Sequence, residues 1–306
     1  MTRYFLRRLG QAIPIILLVA TLVFSLIHLI PGDPVEMMLG DGAQRSEVDQ
    51  LRSDLGLDRP LGEQYVSYMT GLLRGDLGRS LHFREPVTTL LARHYPATLE
   101  LAFVSMFIAL LISLPLGILA AFYRGGAVDH LSRVLALLGV SMPNFWLGPM
   151  LILVFSIYFD LFPVSGRSGF ASVVLPAITL GTALAGLLTR MVRSSLVDEL
   201  GQPYLITARA KGLSRSRVVV RHALKNALIP VVTVVGLQFG AVLTGAIITE
   251  TIFSWPGLGR LLIQAIRLRD YPLIQGGVLV IALTYVFLNL ITDLVYGFLD
   301  PRVRYE

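Results

Sequence analysis

The chain has two lysines that could serve as the phosphate-binding lysine of a nucleotide-binding loop, and neither has the neighbours that such a loop requires. A phosphate-binding loop has serine or threonine directly after its lysine, so that backbone amides, one ammonium group and a hydroxyl surround the phosphates and their metal. Lys211 is followed by Gly212, and Lys225 is followed by Asn226. The sequence therefore excludes a Walker A motif in this chain. A step driven by ATP would need an ATPase on another chain.

The other side chains that commonly carry chemistry predict no catalytic or metal site. The chain has no cysteine, which excludes thiol nucleophiles, thiolate zinc sites and disulfides. No G-x-S-x-G nucleophile elbow occurs. The five histidines form neither H-E-x-x-H nor another close metal pair, and they are His28, His82, His94, His130 and His222. We therefore expect no enzymatic activity, no metal and no cofactor bound by this chain.

Four polar side chains interrupt long apolar runs. Glu250 lies near the end of one run and Asp293 lies well inside another. A carboxylate at the centre of a membrane helix costs about 2.5–3.5 kcal/mol on insertion scales. Each carboxylate therefore either contacts a coupling ion or substrate, or is hydrogen-bonded to a neighbouring helix or reaches the membrane surface. Asn144 and Gln238 either line a path or join helices.

The elements that must position these residues are membrane helices. The 306 residues are 54% hydrophobic and 15% charged, whereas soluble domains carry about 25% charged residues. The mean hydropathy is +0.70. With several apolar runs of about 20 residues, this composition predicts an all-α polytopic membrane protein with six transmembrane helices. The net charge of +6 indicates basic membrane-facing loops and lipid contact rather than nucleic acid.

The spans are separated by one large polar segment and several short loops. We reject a signal peptide at 10–30, because the apolar run exceeds the 7–15 residues of such a segment. Residues 31–97, with 7 arginines and 10 acids, are expected to form an extracytoplasmic helical cap with short helices at 45–56 and 61–74. An amphipathic segment is expected at 253–271. The six spans are expected at 10–30, 98–122, 131–159, 173–196, 229–252 and 273–299.

The third predicted span contains helix breakers. The stretch 141–146 and then Gly148-Pro149 interrupt it. Proline removes a backbone donor and clashes with the preceding turn. In a membrane such breaks persist only where protein or a water-lined cavity satisfies the freed carbonyls. The sequence therefore predicts an irregular, functionally important third span.

Charge predicts the orientation. The segments assigned to the inside carry 15 of the 26 basic residues and five acids, a net of +10. By the positive-inside rule both termini are cytoplasmic. The chain is then divided into 1–30 (N-terminus and first helix), 31–97 (cap), 98–299 (five-helix permease core) and 300–306 (cytoplasmic tail).

The most basic loop is 202–230, which we call the elbow. It has six basic residues and no acid. The pattern predicts a helix at 204–211, a left-handed cap at Gly212, and a second helix at 215–227 capped by Ser214. Small residues in the first helix permit close approach of a partner. The charge alone is also explained by topology and by contact with anionic lipid.

Ordered sequence blocks along the whole chain resemble one family. The blocks are 7–8, 31–34, 55–61, 75–78, 96–101, 139–147, 207–213, 226–230, 250–259, 269–272 and 300–302. The family is the group of binding-protein-dependent ABC importer permeases for dipeptides, oligopeptides and nickel, and the match is to their first, B-type, subunit. The general importer motif opens with Glu-Ala-Ala, where this chain has Ile206-Thr207-Ala208 before Gly212, and its closing Pro230 lies further away.

The resemblance implies partners and a division of labour. Such permeases act in the bacterial or archaeal cytoplasmic membrane with a second homologous permease, an extracytoplasmic solute-binding protein and two ATPase subunits that bind ATP and Mg. The elbow would dock on one ATPase through Tyr204, Thr207, Ala208, Arg209, Ala210, Lys211, Gly212 and Leu213. The path or gate would include Ser141, Pro143, Asn144, Trp146, Gln238, Glu250, Trp255 and Asp293.

The expected function is import of short peptides. The same machinery importing nickel or glutathione is the alternative, although the spans show no metal-ligand cluster. A transporter driven by an ion gradient, with Glu250 or Asp293 as the coupling site, is the alternative of a different class.

Overall fold

The computed structural model describes residues 2–29, 34–39 and 44–299, and most of these residues are helical. This confirms the all-α class. Residues 31–33 of the block at 31–34, and the predicted tail 300–306 with its block at 300–302, lie outside the described residues. The α-helices are α1 Thr2–Leu29, α2 Pro34–Leu39, α3 Arg45–Asp54, α4 Leu61–Leu73, α5 Val87–Phe122, α6 Ala127–Ser141, α7 Asn144–Leu151, α8 Phe170–Leu200, α9 Pro203–Ala210, α10 Arg215–Val218, α11 Leu224–Ile252, α12 Leu258–Arg267 and α13 Tyr271–Leu299.

Four helical stretches in the described ranges are long and apolar enough to cross a membrane: Val87–Phe122, Phe170–Leu200, Ser216–Leu243 and Tyr271–Thr292. A bent pair, Ala127–Ser141 with Asn144–Tyr158, makes a fifth crossing if it counts as one span. The apolar part of α1, Gly10–Ser25, is shorter. The chain is therefore multi-pass, while the count of six spans stays a prediction.

Contacts divide the chain into two compact units. The first, which we call the elbow unit, consists of Met1–Phe5, Leu99–Trp255 and Phe287–Glu306. The second, the cap unit, consists of Leu6–Thr98 and Pro256–Val286. Helices α1, α5 and α13 contribute residues to both units, so the units differ from the linear division predicted from the sequence.

In the cap unit, the two short helices at 45–54 and 61–73 confirm the prediction. Helix α5, however, begins directly after Pro86, eleven residues before the predicted start of the second span. The helix starts earlier because the apolar side chains of its first turns are buried against α12 and α13. This cluster contains Val87, Leu90, Leu91, Leu258, Leu261, Ala265 and Leu273. Helix α12 supplies the amphipathic element predicted at 253–271.

In the elbow unit, α8 is the most buried candidate span of the described chain. Helix α8 runs parallel to α5: the numbers of the contacting residues rise together along the two helices. A Cβ placed on Gly181 would lie 2.8 Å from the Ser105 carbonyl oxygen, and one on Gly117 would lie 2.7 Å from the Val192 Cβ. Such spacing admits only glycine and brings the two backbones together, as small residues do in membrane helix pairs.

Helix α6 packs against α8 in the opposite direction. A Cβ on Gly139 would lie 2.9 Å from the Thr182 carbonyl oxygen, and one on Gly186 would overlap the Ala136 carbonyl oxygen. As the residue number rises along α8 it falls along α6, so the helices are antiparallel. The glycines therefore fix the spacing of this pair.

The third span is broken where the sequence predicts. Helix α6 ends at Ser141, Met142 is extended, and Pro143 caps α7. The two halves are bent by 101°. The second predicted interruption, at Gly148-Pro149, is wrong in its position, because α7 continues through Pro149 and widens to a π-helix only over Ile152–Tyr158.

Candidate functional site

The elbow is a helix, a glycine turn and a second helix. After α9, the Lys211 amide donates to the Thr207 carbonyl at 3.2 Å, and Gly212 follows with φ of +79°. This confirms the left-handed turn at Gly212. The predicted end of the second helix at 227 is wrong: α10 passes through a π-helical segment, Val219–Ala223, directly into α11. The second arm of the elbow is thus the beginning of the next candidate span.

An apolar cluster attaches the elbow to the membrane helices. Leu205 of α9 is 1% exposed, and Leu196 of α8 is fully buried beside it in the same cluster. The remaining buried members are Ala121, Val218, Val219, Ala223 and Ala227. Because the cluster includes the ends of α5 and α8 and the start of α11, a force applied to α9 reaches all three helices.

A polar network joins α9 to α8 and to the start of α11. The Tyr204 hydroxyl donates to Glu199 Oε1 at 2.5 Å and lies 3.3 Å from the His222 carbonyl oxygen. Asn226 Nδ2 donates to Glu199 Oε1 and to the Tyr204 hydroxyl, both at 3.1 Å. Partial burial and then the Glu199 carboxylate raise the pKa of Tyr204 to about 12, so the hydroxyl remains a donor at neutral pH. In the sequence Glu199 is only one of the five acids assigned to the inner segments, and no local pattern signals this role.

Part of the elbow forms an outward face. Ile206 is 68% exposed although it is apolar, and it occupies the position where the general importer motif has glutamate. Among the predicted coupling residues, Ala208 and Leu213 pack against the apolar cluster. The side chain of Arg209 lies outside the described structure. The exposed members of the predicted set are Tyr204, Thr207, Ala210, Lys211 and Gly212.

The predicted path residues of the third span lie at its break. Ser141, Pro143 and Trp146 are exposed, and Asn144 is half-buried. Just beyond them, a Cβ on Gly148 would lie 3.2 Å from a ring carbon of Phe253 and 3.3 Å from a methyl of Ile252. The segment after the break therefore packs against the end of α11.

Glu250 and Trp255 lie close together at that end of α11, and both are fully buried. The Trp255 amide donates to the Glu250 carbonyl oxygen at 2.8 Å. The Arg167 guanidinium lies 5.9 Å from the centre of the Trp255 ring and is ion-paired with Glu100 at 2.6 Å. The Glu250 side chain is therefore enclosed by protein, and its role stays a prediction.

The other two predicted path residues do not join this group. Gln238 is half-buried in α11, twelve residues before Glu250 and so about 18 Å away along the helix axis. The side chain of Asp293, in α13, lies outside the described structure. The predicted path residues therefore fall into separate groups.

Two family models match almost the whole chain. Residues 1–102 match the N-terminal region, and residues 113–305 match the main region, of the binding-protein-dependent transport system inner membrane component. The chain belongs to this family. It is a permease subunit of an ABC importer, and it lies in the inner membrane as a multi-pass protein.

Two relatives align with this permease over its full length. It is 46% identical over 338 residues to the dipeptide transport system permease protein DppB of Escherichia coli (strain K12), with 100% of both chains covered. It is 43% identical over 306 residues to the glutathione transport system permease protein GsiC of Pectobacterium atrosepticum, again with 100% of both covered. These relatives are transport permeases.

Solved structures agree with the fold. A chain of the methionine ABC transporter MetNI in an inward-facing conformation superposes with a TM-score of 0.57 at 20% identity, covering 69% of this permease and 96% of that chain. A chain of an amino acid ABC transporter gives a TM-score of 0.52 at 17% identity, covering 70% and 94%.

Proposed function

We propose that this permease imports short peptides delivered by a solute-binding protein and that ATP hydrolysis on other chains powers the transport. The names of the relatives, a dipeptide permease and a glutathione permease, support peptides as the substrate class. Among the described residues no three histidine or acidic side chains lie together as a metal site, which favours peptides over nickel. The proposal that ATP hydrolysis on other chains is the energy source rests on the structure of the elbow.

The observation that carries the proposal is the construction of the elbow. Its outward face exposes Ile206 and Lys211, while its inward face is bound to three membrane helices through the apolar cluster and the Tyr204 network. An exposed apolar side chain and an exposed basic one on the same short segment suit a groove on a partner protein. Since Lys211 and Lys225 lack a Walker A context, the partner supplies the ATPase site, with its ATP and Mg.

The full transporter would hold two permeases, this chain and a homologous one, with two ATPase subunits and the solute-binding protein. The elbow and both termini of this chain would be cytoplasmic, as the charge distribution predicts. The cap residues 31–97 and the segment 253–271 would then face the binding protein.

The mechanism follows from rigid attachment. Closure of the ATPase pair on ATP moves α9, and the apolar cluster moves α8 and the start of α11 with it. Because packed cores switch between discrete arrangements rather than deform smoothly, the movement changes the packing of whole helices. The bent third span, which packs against the end of α11 near Glu250, is the segment we assign to the gate.

The substrate class is tested with the cognate binding protein. Dipeptides should raise its melting temperature, because a ligand that binds only the folded state stabilises it, by about 2.7 kcal/mol at a concentration of 100 Kd. Glutathione and Ni²⁺ are measured in parallel. A shift with Ni²⁺ alone would contradict import of peptides.

A further inference from the structure

A buried carboxylate in the first turn of α6, Asp129, holds an arginine of α8. The Asp129 side chain is 1% exposed. Its Oδ1 accepts from Arg193 Nε at 2.6 Å, and its Oδ2 accepts from Arg193 Nη2 at 2.8 Å. Oδ2 also accepts from the Gly125 amide at 2.9 Å. Two parallel hydrogen bonds of this kind fix the relative orientation of both groups.

A second arginine contacts the same carboxylate more loosely. Arg133 Nε lies 3.3 Å from Asp129 Oδ1, and the Arg133 side chain is 46% exposed, against 22% for Arg193. An ion pair in which the arginine is this exposed contributes little. The two arginines thus offer a strong and a weak contact to one carboxylate.

The Asp129–Arg193 pair continues the register of the α6–α8 contact. The close approaches of Gly139 to Thr182 and of Ala136 to Gly186 lie nearer the break. Asp129 and Arg193 lie about two turns further along each helix, toward the elbow. The glycines fix the spacing of α6 and α8 near the break, and the Asp129–Arg193 ion pair fixes it near the elbow.

Each helix of this pair leads to a different part of the site. Arg193 lies three residues, about 4.5 Å along the axis, before Leu196, which belongs to the apolar cluster of the elbow. Helix α6 ends at Ser141, where the third span breaks. A movement of the elbow that carries α8 therefore reaches the break through α6.

We propose that Asp129 and Arg193 are positioning residues that force α6 to follow α8, so that the break in the third span responds to the elbow. This inference rests on the proposed function, in which the elbow receives the motion of the ATPase. A buried ion pair often stabilises no more than an apolar pair of the same size. Its value here is a fixed register between two helices that must move together.

The test is the number of substrate molecules taken up per ATP hydrolysed by the complete transporter in proteoliposomes. Asp129→Asn removes the charge, and Arg193→Lys keeps the charge but loses the paired hydrogen bonds. We expect this ratio to fall about tenfold in both variants, within the range by which residues between coupled sites change coupling. Arg133→Gln is the matched control and should leave the ratio within about twofold of the wild type.

Fewer assembled complexes would lower uptake and ATP hydrolysis together, so a purely structural role leaves the ratio unchanged. An unchanged ratio in Arg193→Lys overturns the proposal, and this variant decides the matter if Asp129→Asn does not assemble. An equal fall in Arg133→Gln also overturns it, because general loss of charge would then be the cause. Either result would leave docking at the elbow intact, since that is tested separately at Gly212.

Discussion

Replacing Gly212 with valine leaves the permease in the membrane but removes the response of the ATPase to loaded binding protein. Gly212 has φ of +79°, and a Cβ there would meet nothing within 4 Å. The cost is therefore conformational rather than steric: a left-handed residue other than glycine costs about 1–2 kcal/mol, and a β-branched residue is a genuine outlier there. Straightening this turn would re-aim α9, so we expect the stimulated ATPase rate to fall by about 10-fold or more.

Gly212→Asn is the matched control. Asparagine is close to valine in size but tolerates the left-handed conformation. We expect it to keep most of the stimulation, with membrane insertion equal in both variants. If valine supported normal stimulation, the turn would not be needed for coupling. If asparagine were as damaging as valine, the side chain rather than the backbone would be responsible.

Replacing Gly186 with leucine should prevent assembly of the transporter. A Cβ at this position would overlap the Ala136 carbonyl oxygen and would lie 2.8 Å from a Val140 methyl. A backbone carbonyl in a helix cannot move aside cheaply, and overpacking a well-packed core costs about 1–3 kcal/mol or more. A loss of this size changes the folded fraction of a marginally stable protein about 5–30-fold. The yield of intact complex by size-exclusion chromatography in detergent measures the effect.

Gly62→Ala is the control for that experiment. Gly62 lies in α4, and a Cβ there would meet nothing within 4 Å. Alanine favours a helix over glycine, so the yield should be unchanged or slightly higher. A normal yield of the Gly186→Leu complex would contradict the close α6–α8 contact on which the rigid pair depends.

Local patterns predicted much of this architecture. The elbow follows from an acid-free basic stretch with a glycine at its middle, and the break in the third span follows from Pro143. Both are local signals, because turn chemistry and helix breaking depend on a few adjacent residues. The start of α5 at Val87 was missed because its apolar side chains are buried by α12 and α13, which lie far along the chain.

Interactions between distant residues could not be predicted in this way. Asp129 and Arg193 are 64 residues apart, and in the sequence both read as ordinary charges of the inner surface. Glu199 and Asn226 are 27 residues apart, and the direct hydrogen bond from Asn226 to Glu199 depends on how the chain folds back between them. Charge counts give the orientation of a membrane protein, but partner choice is decided by tertiary packing.

Measuring which energy source drives uptake tests the central claim most directly. The complete transporter is reconstituted in proteoliposomes, and uptake of a labelled dipeptide is measured with ATP inside and binding protein outside. We expect uptake only when both are present, with no uptake by this permease alone under a proton gradient. Uptake by the permease alone, driven by the gradient and insensitive to removal of ATP, would contradict the claim and would make Glu250 or Asp293 the coupling site instead.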